Sequence, residues 1–587
     1  MKQYILTIKK TTRSLLCIMH CALCIAAAVA LTSCDSFLDE HTPQATLSDE
    51  QVKTGENAEA MAISAYAIFT SSEDINSSFS MWNFDVRSDD AYKGGNGTSD
   101  GDVFHQLEVQ QGVLTTNWNI NDMWVRLYNS LSRVNSAIAL LNESSYSLKQ
   151  QRLAEMKFLR AYGHFLLKRL YKHIPFVMNE NMTYDEYNTL SNTEYTNDEG
   201  WQLIIDDLME AYNTLPVTQE DKGRPTKASA AAFLAKVYLY KAYRQDDANT
   251  NQITSISRED LEKVIEFTNP ALYTNYGLET DMHNNFRPEE QYENGKESVW
   301  AIQYSRNDGS TYGNLNWSYG LIPPNIPGAT DGGTDFYKPS QNLVNAYRTG
   351  DDGLPLMDTF NQKDYDMAAD NADPRLFLTV GMPGLPYMFN RNFMMDKTSI
   401  WSRSGGLYGY YVTLKQNVDP ALIDSYLIKG SYWASSMNRI VFRYAEVLLN
   451  RAEAYAQLGQ ADQAINLVNQ LRTRAAGSTQ MIASYPTAFG VKFYISNYRG
   501  SYSNDEALKI VKMERRLELG MESERFFDLV RWGDAAVVLN KYYAEETDNC
   551  AIYRDAHFTA DKDEYLPIPY SQLSASNGHY TQNIGNW

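Results

Sequence analysis

The densest chemistry in this chain is the stretch MERRLELGMESERFFDLVRWGD, Met513 to Asp534, which packs Glu, Arg and Asp around Phe526, Phe527 and Trp532. An active site would leave one of these charges open to a substrate, whereas a scaffold would pair them all. Residues three and four apart are neighbours on a helix. Arg525, Asp528 and Arg531 therefore make a plus–minus–plus row, with Glu522 three residues before Arg525. Leu517, Met521, Phe526, Leu529 and Val530 supply apolar surface beside it. Charges so paired against bulky apolar groups predict structural ion pairs inside a helical packing, not catalysis.

Other catalytic templates are missing. The sequence contains no GxSxG elbow, no HExxH and no glycine-rich phosphate loop. Its eight histidines (His20, His41, His105, His164, His173, His283, His557 and His579) share no metal-ligand spacing. His164 and His173 fall in or just after an apolar helical stripe, where a packed imidazole is expected. Glycoside hydrolysis needs two carboxylates about 5–9 Å apart, and with 72 acidic residues a sequence pair defines no such site. RSDDAYKGGNGTSDGD, Arg87 to Asp102, offers oxygens that suit calcium but lacks the closing Glu of an EF-hand. It is expected to be a polar surface loop, a structural calcium ion staying unplaced and no cofactor being required.

The N-terminus carries an address. Lys2, Lys9, Lys10 and Arg13 precede an almost wholly apolar run, Leu15 to Leu31, followed by Leu31-Thr32-Ser33-Cys34. A basic head, a short apolar core and small residues before a cut read as a secretory signal over residues 1–33. The alternative is a retained anchor helix, but a span needs about 20 apolar residues. The stretch resembles a bacterial lipobox, in which Cys34 becomes the first residue and carries lipid. Cys17, Cys21 and Cys24 leave with the signal, so Cys550 remains alone, without a disulfide partner or a cysteine metal site. It is read as a small packed side chain rather than a nucleophile.

Loss of four cations with the signal takes the formal charge from −20 to −24, which makes nucleic acid a poor partner. The 41 Tyr against 22 Phe put much aromatic surface at wet boundaries, because a tyrosine hydroxyl seeks water or a hydrogen bond.

The elements that must position this chemistry are mostly helices. Residues 34–48 read as a tether, and Ser48 with Gln51 as a capping box opening a helix towards Phe69. Three- and four-residue apolar steps run from Trp124 to Leu141, Leu153 to Leu170 and Ala230 to Tyr240 within a helical part spanning 49–280. Residues 281–439 lose this period to Gly, Pro, Asn and aromatics, with a short strand expected at ESVWAIQY. Helical stripes return in 440–587. Val441 to Tyr455 and Ala461 to Ala475 flank a turn at Leu458-Gly459-Gln460, close to the roughly 34-residue tetratricopeptide period. The fold class expected is mainly α: a tetratricopeptide-repeat-like scaffold with an inserted loop-rich subdomain carrying short strands.

ERRLELGMESERFFDLVRWG resembles the C-terminal signature of the SusD/RagB family. LRAYGHFLLKRLYKHIPFV, GRPTKASAAAFLAKVYLY, DPRLFLTV, FRYAEVLLNRAEAYAQLG and the ending YLPIPYSQLSASNGHYTQNIGNW match in the same order. With the lipobox, the resemblance covers nearly the whole chain. It implies a non-catalytic outer-membrane lipoprotein, surface-exposed and anchored through Cys34. Such proteins capture oligosaccharides and deliver them to a TonB-dependent SusC-like transporter. In the family, loop aromatics pack on sugar faces while polar side chains meet the hydroxyls. Trp118 with Asn121 resembles the loop aromatic and amide of starch-binding members. Tyr304, Trp317 and Tyr319 lie where those members carry further aromatics, and Trp82, Trp401 and Trp433 are additional candidates. Trp118, Tyr304, Trp317 and Asn121 are expected to share one exposed face. A surface glycoside hydrolase, a tetratricopeptide-type adaptor and a peptide rather than a glycan ligand stay open.

Overall fold

The computed structural model describes residues 53–69, 83–246, 248–309, 314–330, 332–428 and 434–587. Cys34, Trp82, Trp433, the tether and the Ser48–Gln51 pair lie outside the described residues.

Twelve helices of eight residues or more occur among the described residues: α1 (Gly55–Ala67), α2 (Asp102–Val109), α3 (Trp118–Glu143), α4 (Lys149–Tyr171), α5 (Asn197–Thr214), α6 (Lys227–Ala242), α7 (Arg258–Phe267), α8 (Tyr444–Gln457), α9 (Ala461–Gly477), α10 (Asn504–Leu519), α11 (Arg525–Trp532) and α12 (Ala535–Glu546). Their starts are chemically marked. The hydroxyl of Thr54 accepts from the Asn57 amide at the head of α1. Thr196, Thr226 and Ser503 each form a capping box with the residue three positions on, satisfying backbone donors that a helix start leaves open.

The helices pack mostly as sequence neighbours: α3 on α4, α4 on α5, α5 on α6, α6 on α7, then α8 on α9, with α10 against both. Close approach of α3 and α4 depends on Gly163, where an added Cβ would stand 2.8 Å from Leu131 Cδ2. Helix α7 packs directly on α8 although residues 268–443 separate them in sequence. That segment is thus an excursion from a helical row that resumes where it left off, consistent with tetratricopeptide-like stacking. The protein is mainly α, and its strands are short.

Two of those strands tie the excursion to the row. Ser298–Ile302, inside the expected ESVWAIQY strand, pairs antiparallel with Arg439–Arg443. Val441, expected to open the helix of α8, therefore lies on a strand, and the helix begins at Tyr444. The 458–460 turn closes as expected, with Gly459 at φ 82, a conformation glycine adopts without steric cost. One apolar core fills the helical row. A second gathers Phe336, Tyr337, Leu343, Val344, Tyr347 and Phe377 of the excursion around Leu517 and Met521 of the C-terminal stretch.

Candidate functional site

The Met513–Asp534 stretch is the junction between these two cores. Its carboxylates are held by arginines and lysines from distant segments. Glu518 meets Arg375, Arg443 and Arg474; Glu522 meets Arg443 and Lys415; Glu524 meets Arg169 and Lys236. Burial alone would raise the carboxyl of Glu518, but the three guanidinium groups outweigh it and hold the group well below the usual carboxylate range. Asp528 pairs with Arg531 at 2.9 Å, as its spacing implies, and with Arg515 at 2.5 Å. Arg525 departs from the expected row. It binds Asp89 at 2.8 Å, and Glu522 lies in the turn before the helix rather than on its face.

Asp89 belongs to the stretch expected to be a polar surface loop; Asn96 to Asp102 do lie at the surface, but the structure corrects the expectation for the first half. Arg87 to Lys93 are buried. Asp89 and Asp90 are neutralised by Arg516 and Arg525, and the Arg87 guanidinium lies 3.9 Å from the centre of the Phe526 ring. These acids are used to clamp the C-terminal signature. Among the described residues no group of His, Cys, Asp or Glu has metal-holding geometry. His164 is packed, as read from the sequence: its Nε2 accepts from the Val177 amide at 3.1 Å, and burial pushes its pKa down to about 3. Cys550 is buried, and burial raises its thiol far above the ordinary range.

The aromatic candidates separate sharply. Tyr304 is 6% exposed and belongs to the main core, its backbone N–H donating to Asn438 Oδ1 at 2.7 Å. Tyr319 is 2% exposed against Val418, Ile423 and Leu427, and lines a partly open cavity of about 140 Å³. Trp401 is 4% exposed, with its ring centre 5.4 Å from that of Tyr387. Each fills a hydrophobic cluster of the excursion or of the helical row, so none is a surface platform. Trp317 is half-buried at the head of a 3₁₀ turn, beside an Asn316–Ser435 bridge. The expected single face of Trp118, Tyr304 and Trp317 is therefore not formed, because Tyr304 points into the core.

Trp118 remains, and it is 53% exposed. It is the first residue of α3, while Ile120, Met123 and Trp124 turn the buried face of that helix inward. Its position is fixed from both sides. Asn117 caps the helix by accepting from the Asn119 amide at 3.0 Å and donates to Val103 O and Gln106 Oε1, both at 3.3 Å. The Phe104 ring of α2 meets the indole edge-on at 6.0 Å.

One turn further along α3, Asn121 Oδ1 accepts from Ser571 Oγ at 2.6 Å and Gln572 Nε2 at 2.9 Å. The Tyr570 amide donates to Thr115 O at 2.9 Å. The C-terminal segment is thereby brought to the head of α3, where Trp118, Tyr570 (59% exposed) and Leu114 are the exposed large apolar residues. The result is an apolar shelf edged by amides and a hydroxyl. Stacking on the C–H face of a ring and hydrogen bonding to hydroxyls are the two things such a shelf can do. The sequence reading missed Tyr570 and Leu114. Pro569 immediately before Tyr570, which opens a short helix from Tyr570 to Ala575, is the one local signal that this tyrosine is held in place.

Two family models match the chain. One is described as the SusD family and covers residues 296–587; the other, "Starch-binding associating with outer membrane", covers residues 36–239. The chain belongs to the SusD-like family. It is 26% identical over 486 residues to the SusD-like protein P2 of Formosa agariphila, across 80% of this chain and 81% of that protein. A SusD homologue from Bacteroides thetaiotaomicron has a TM-score of 0.70 at 18% identity, over 93% of this chain and 100% of that one. Surface glycan-binding protein A from the same species, solved in complex with laminarihexaose, gives 0.61 at 19% identity, over 90% of this chain and 99% of that one. At these identities the structural likeness is one of fold.

Proposed function

We propose that this protein captures a glycan without cleaving it, and that the Trp118 shelf is a contact surface for the sugar. The observation that carries this reading is an indole 53% exposed on a helix head that Asn117 and the C-terminal segment hold rigid. A fixed aromatic offers contact area with few torsions to freeze on binding. Family membership and the laminarihexaose complex of a structural neighbour support the choice of ligand class.

The same reading places the chain at the outer membrane, held by lipid on Cys34. There it passes oligosaccharide to a SusC-like TonB-dependent transporter, and the family description supports the outer-membrane association. Incubation of the purified protein with a polysaccharide panel tests the reading. Retention on a glycan with no released product supports it. Product release would make the chain a hydrolase, and binding to none of the panel would remove the glycan reading.

A further inference from the structure

The side chain of Lys93 ends inside its own loop. Lys93 lies in the short strand Ala91–Gly94, which pairs antiparallel with Phe336–Pro339 of the excursion. The residue is fully buried, and its ammonium donates to the carbonyl oxygens of Gly94 at 3.0 Å, Gly97 at 3.0 Å and Asp100 at 2.6 Å. An ammonium has three N–H donors and no acceptor, so three converging carbonyls match it in number. Two rings complete the surroundings. The ammonium stands over Phe336 at 5.1 Å from the ring centre and over Tyr408 at 5.4 Å, within the range of cation–π attraction.

The neighbouring carboxylates are engaged elsewhere. Asp100 gives the ammonium its carbonyl, while its carboxylate accepts from the Asn96 amide at 2.8 Å and Arg403 Nη1 at 2.9 Å. Glu108 accepts from the backbone N–H of Lys93 at 2.7 Å. The loop can curl this tightly because Gly94 and Gly97 stand at φ +80 and +85, and a Cβ on Gly94 would lie 2.4 Å from Asp335 O. Glycine takes that conformation without steric cost.

Backbone carbonyls closing on one point are the coordination that hard metal cations take, calcium among them. The stretch from Arg87 to Asp102 has the oxygens for such an ion, but the point where its carbonyls converge carries a charge of the chain's own. We infer that residues 94–100 form a cation site whose occupant is the Lys93 ammonium, so that the loop closes without a metal ion. Like charge at contact distance keeps a second cation from the same carbonyls. The closed loop holds the Asp100 carboxylate against Arg403, whose backbone N–H donates to Asp335 Oδ2 at 2.9 Å. Lys93 is thus a positioning residue that fastens this loop to the excursion whatever the surrounding metal concentration.

The test is scanning calorimetry and hydrogen exchange on the full chain and on Lys93→Met, which keeps an unbranched stem and removes the charge. Each protein is measured with chelator, with millimolar calcium chloride, with potassium chloride, and with tetramethylammonium chloride as a cation too large for the loop. The natural chain should show the same melting temperature and the same exchange at the amides of Gly95 to Asp102 in all four. Lys93→Met should melt lower and exchange faster at those amides, and calcium or potassium, but not tetramethylammonium, should reverse both. A natural chain whose loop amides gain protection from calcium would overturn the inference, and that arm stands even where Lys93→Met does not fold. Lys93→Met with the natural melting temperature and exchange would overturn it too. A loss in Lys93→Met that is equal in every salt would make Lys93 an ordinary packed lysine rather than the occupant of a cation site.

Discussion

Arg375 and Glu518 are 143 residues apart in sequence, and their side chains meet at 2.9 Å with neither exposed to solvent. Arg375 belongs to the excursion and Glu518 to the end of α10, so this contact fastens the excursion to the helical row. Arg375 also holds Asp373 and Glu514 at 2.7 Å each. Removing one partner of a buried pair strands the other, which costs about 3–5 kcal/mol. Glu518→Ala should therefore lose stability on that scale by denaturant unfolding. A Glu518→Ala variant as stable as the natural chain would show that the junction does not hold the two parts together.

Within the signature stretch the two variants Asp528→Ala and Arg525→Ala should differ. Asp528 serves both Arg515 and Arg531, so its loss exposes two buried cations to incomplete pairing. Loss of Arg525 leaves Asp89 still bound to Arg516. The expected order of melting temperatures is natural chain, Arg525→Ala, then Asp528→Ala, read by calorimetry. If either variant kept its melting temperature and lost glycan binding, the stretch would be a site rather than scaffold.

How much of this was legible follows from the range of each contact. The apolar stripes from Trp124 to Leu141 and Leu153 to Leu170 are local, and the helices lie there. The Asp528–Arg531 pair is also local, three residues apart. The partner of Arg525 is 436 residues away, and no spacing rule reaches that far. Val441 continues an apolar stripe in helical phase, yet pairing with Ser298–Ile302 overrides it. Tyr304 and Trp118 are both aromatic residues near polar ones in sequence. Only the tertiary packing sends one inward and leaves the other at a helix head.

Stability should pass through a maximum in mildly acidic solution. Burial pushes Asp85, Glu293 and Glu546 up to about 7. Stabilisation from such raised carboxyls is complete below their ordinary values and is lost as pH rises through about 7. Glu453, Glu524 and Asp89 are opposed by burial, but their cationic partners outweigh it and hold them at about 2. Their contribution is present above the ordinary range and is lost as pH falls towards 2. Melting temperature should thus peak between the two ranges. Glu546→Gln should flatten the fall towards pH 8, where the charged form costs on the order of 3 kcal/mol. An unaltered slope in that variant would remove Glu546 from the account.

Cys34→Ala should leave folding intact and abolish acylation and outer-membrane attachment, because the proposed lipid is carried on that cysteine. Fractionation with acyl labelling reads this out. Full retention of the variant in the outer membrane would contradict lipid anchoring at Cys34.

Core and shelf aromatics should part company on mutation. Tyr304→Ala and Trp401→Ala each empty a packed cluster, and such truncations cost about 3–5 kcal/mol. Their first effect should be on melting temperature. A Tyr304→Ala protein with unchanged stability and lost binding would restore Tyr304 to the surface face expected from the sequence.

Paired binding and thermal calorimetry on Trp118→Ala decides whether the indole meets the glycan. With an oligosaccharide that the natural chain binds, the variant should lose about 1–3 kcal/mol of binding free energy, as contact aromatics do. Its melting temperature should stay unchanged, because the indole is 53% exposed. Full affinity in Trp118→Ala would contradict the account, as would a large drop in melting temperature accompanying the loss of binding.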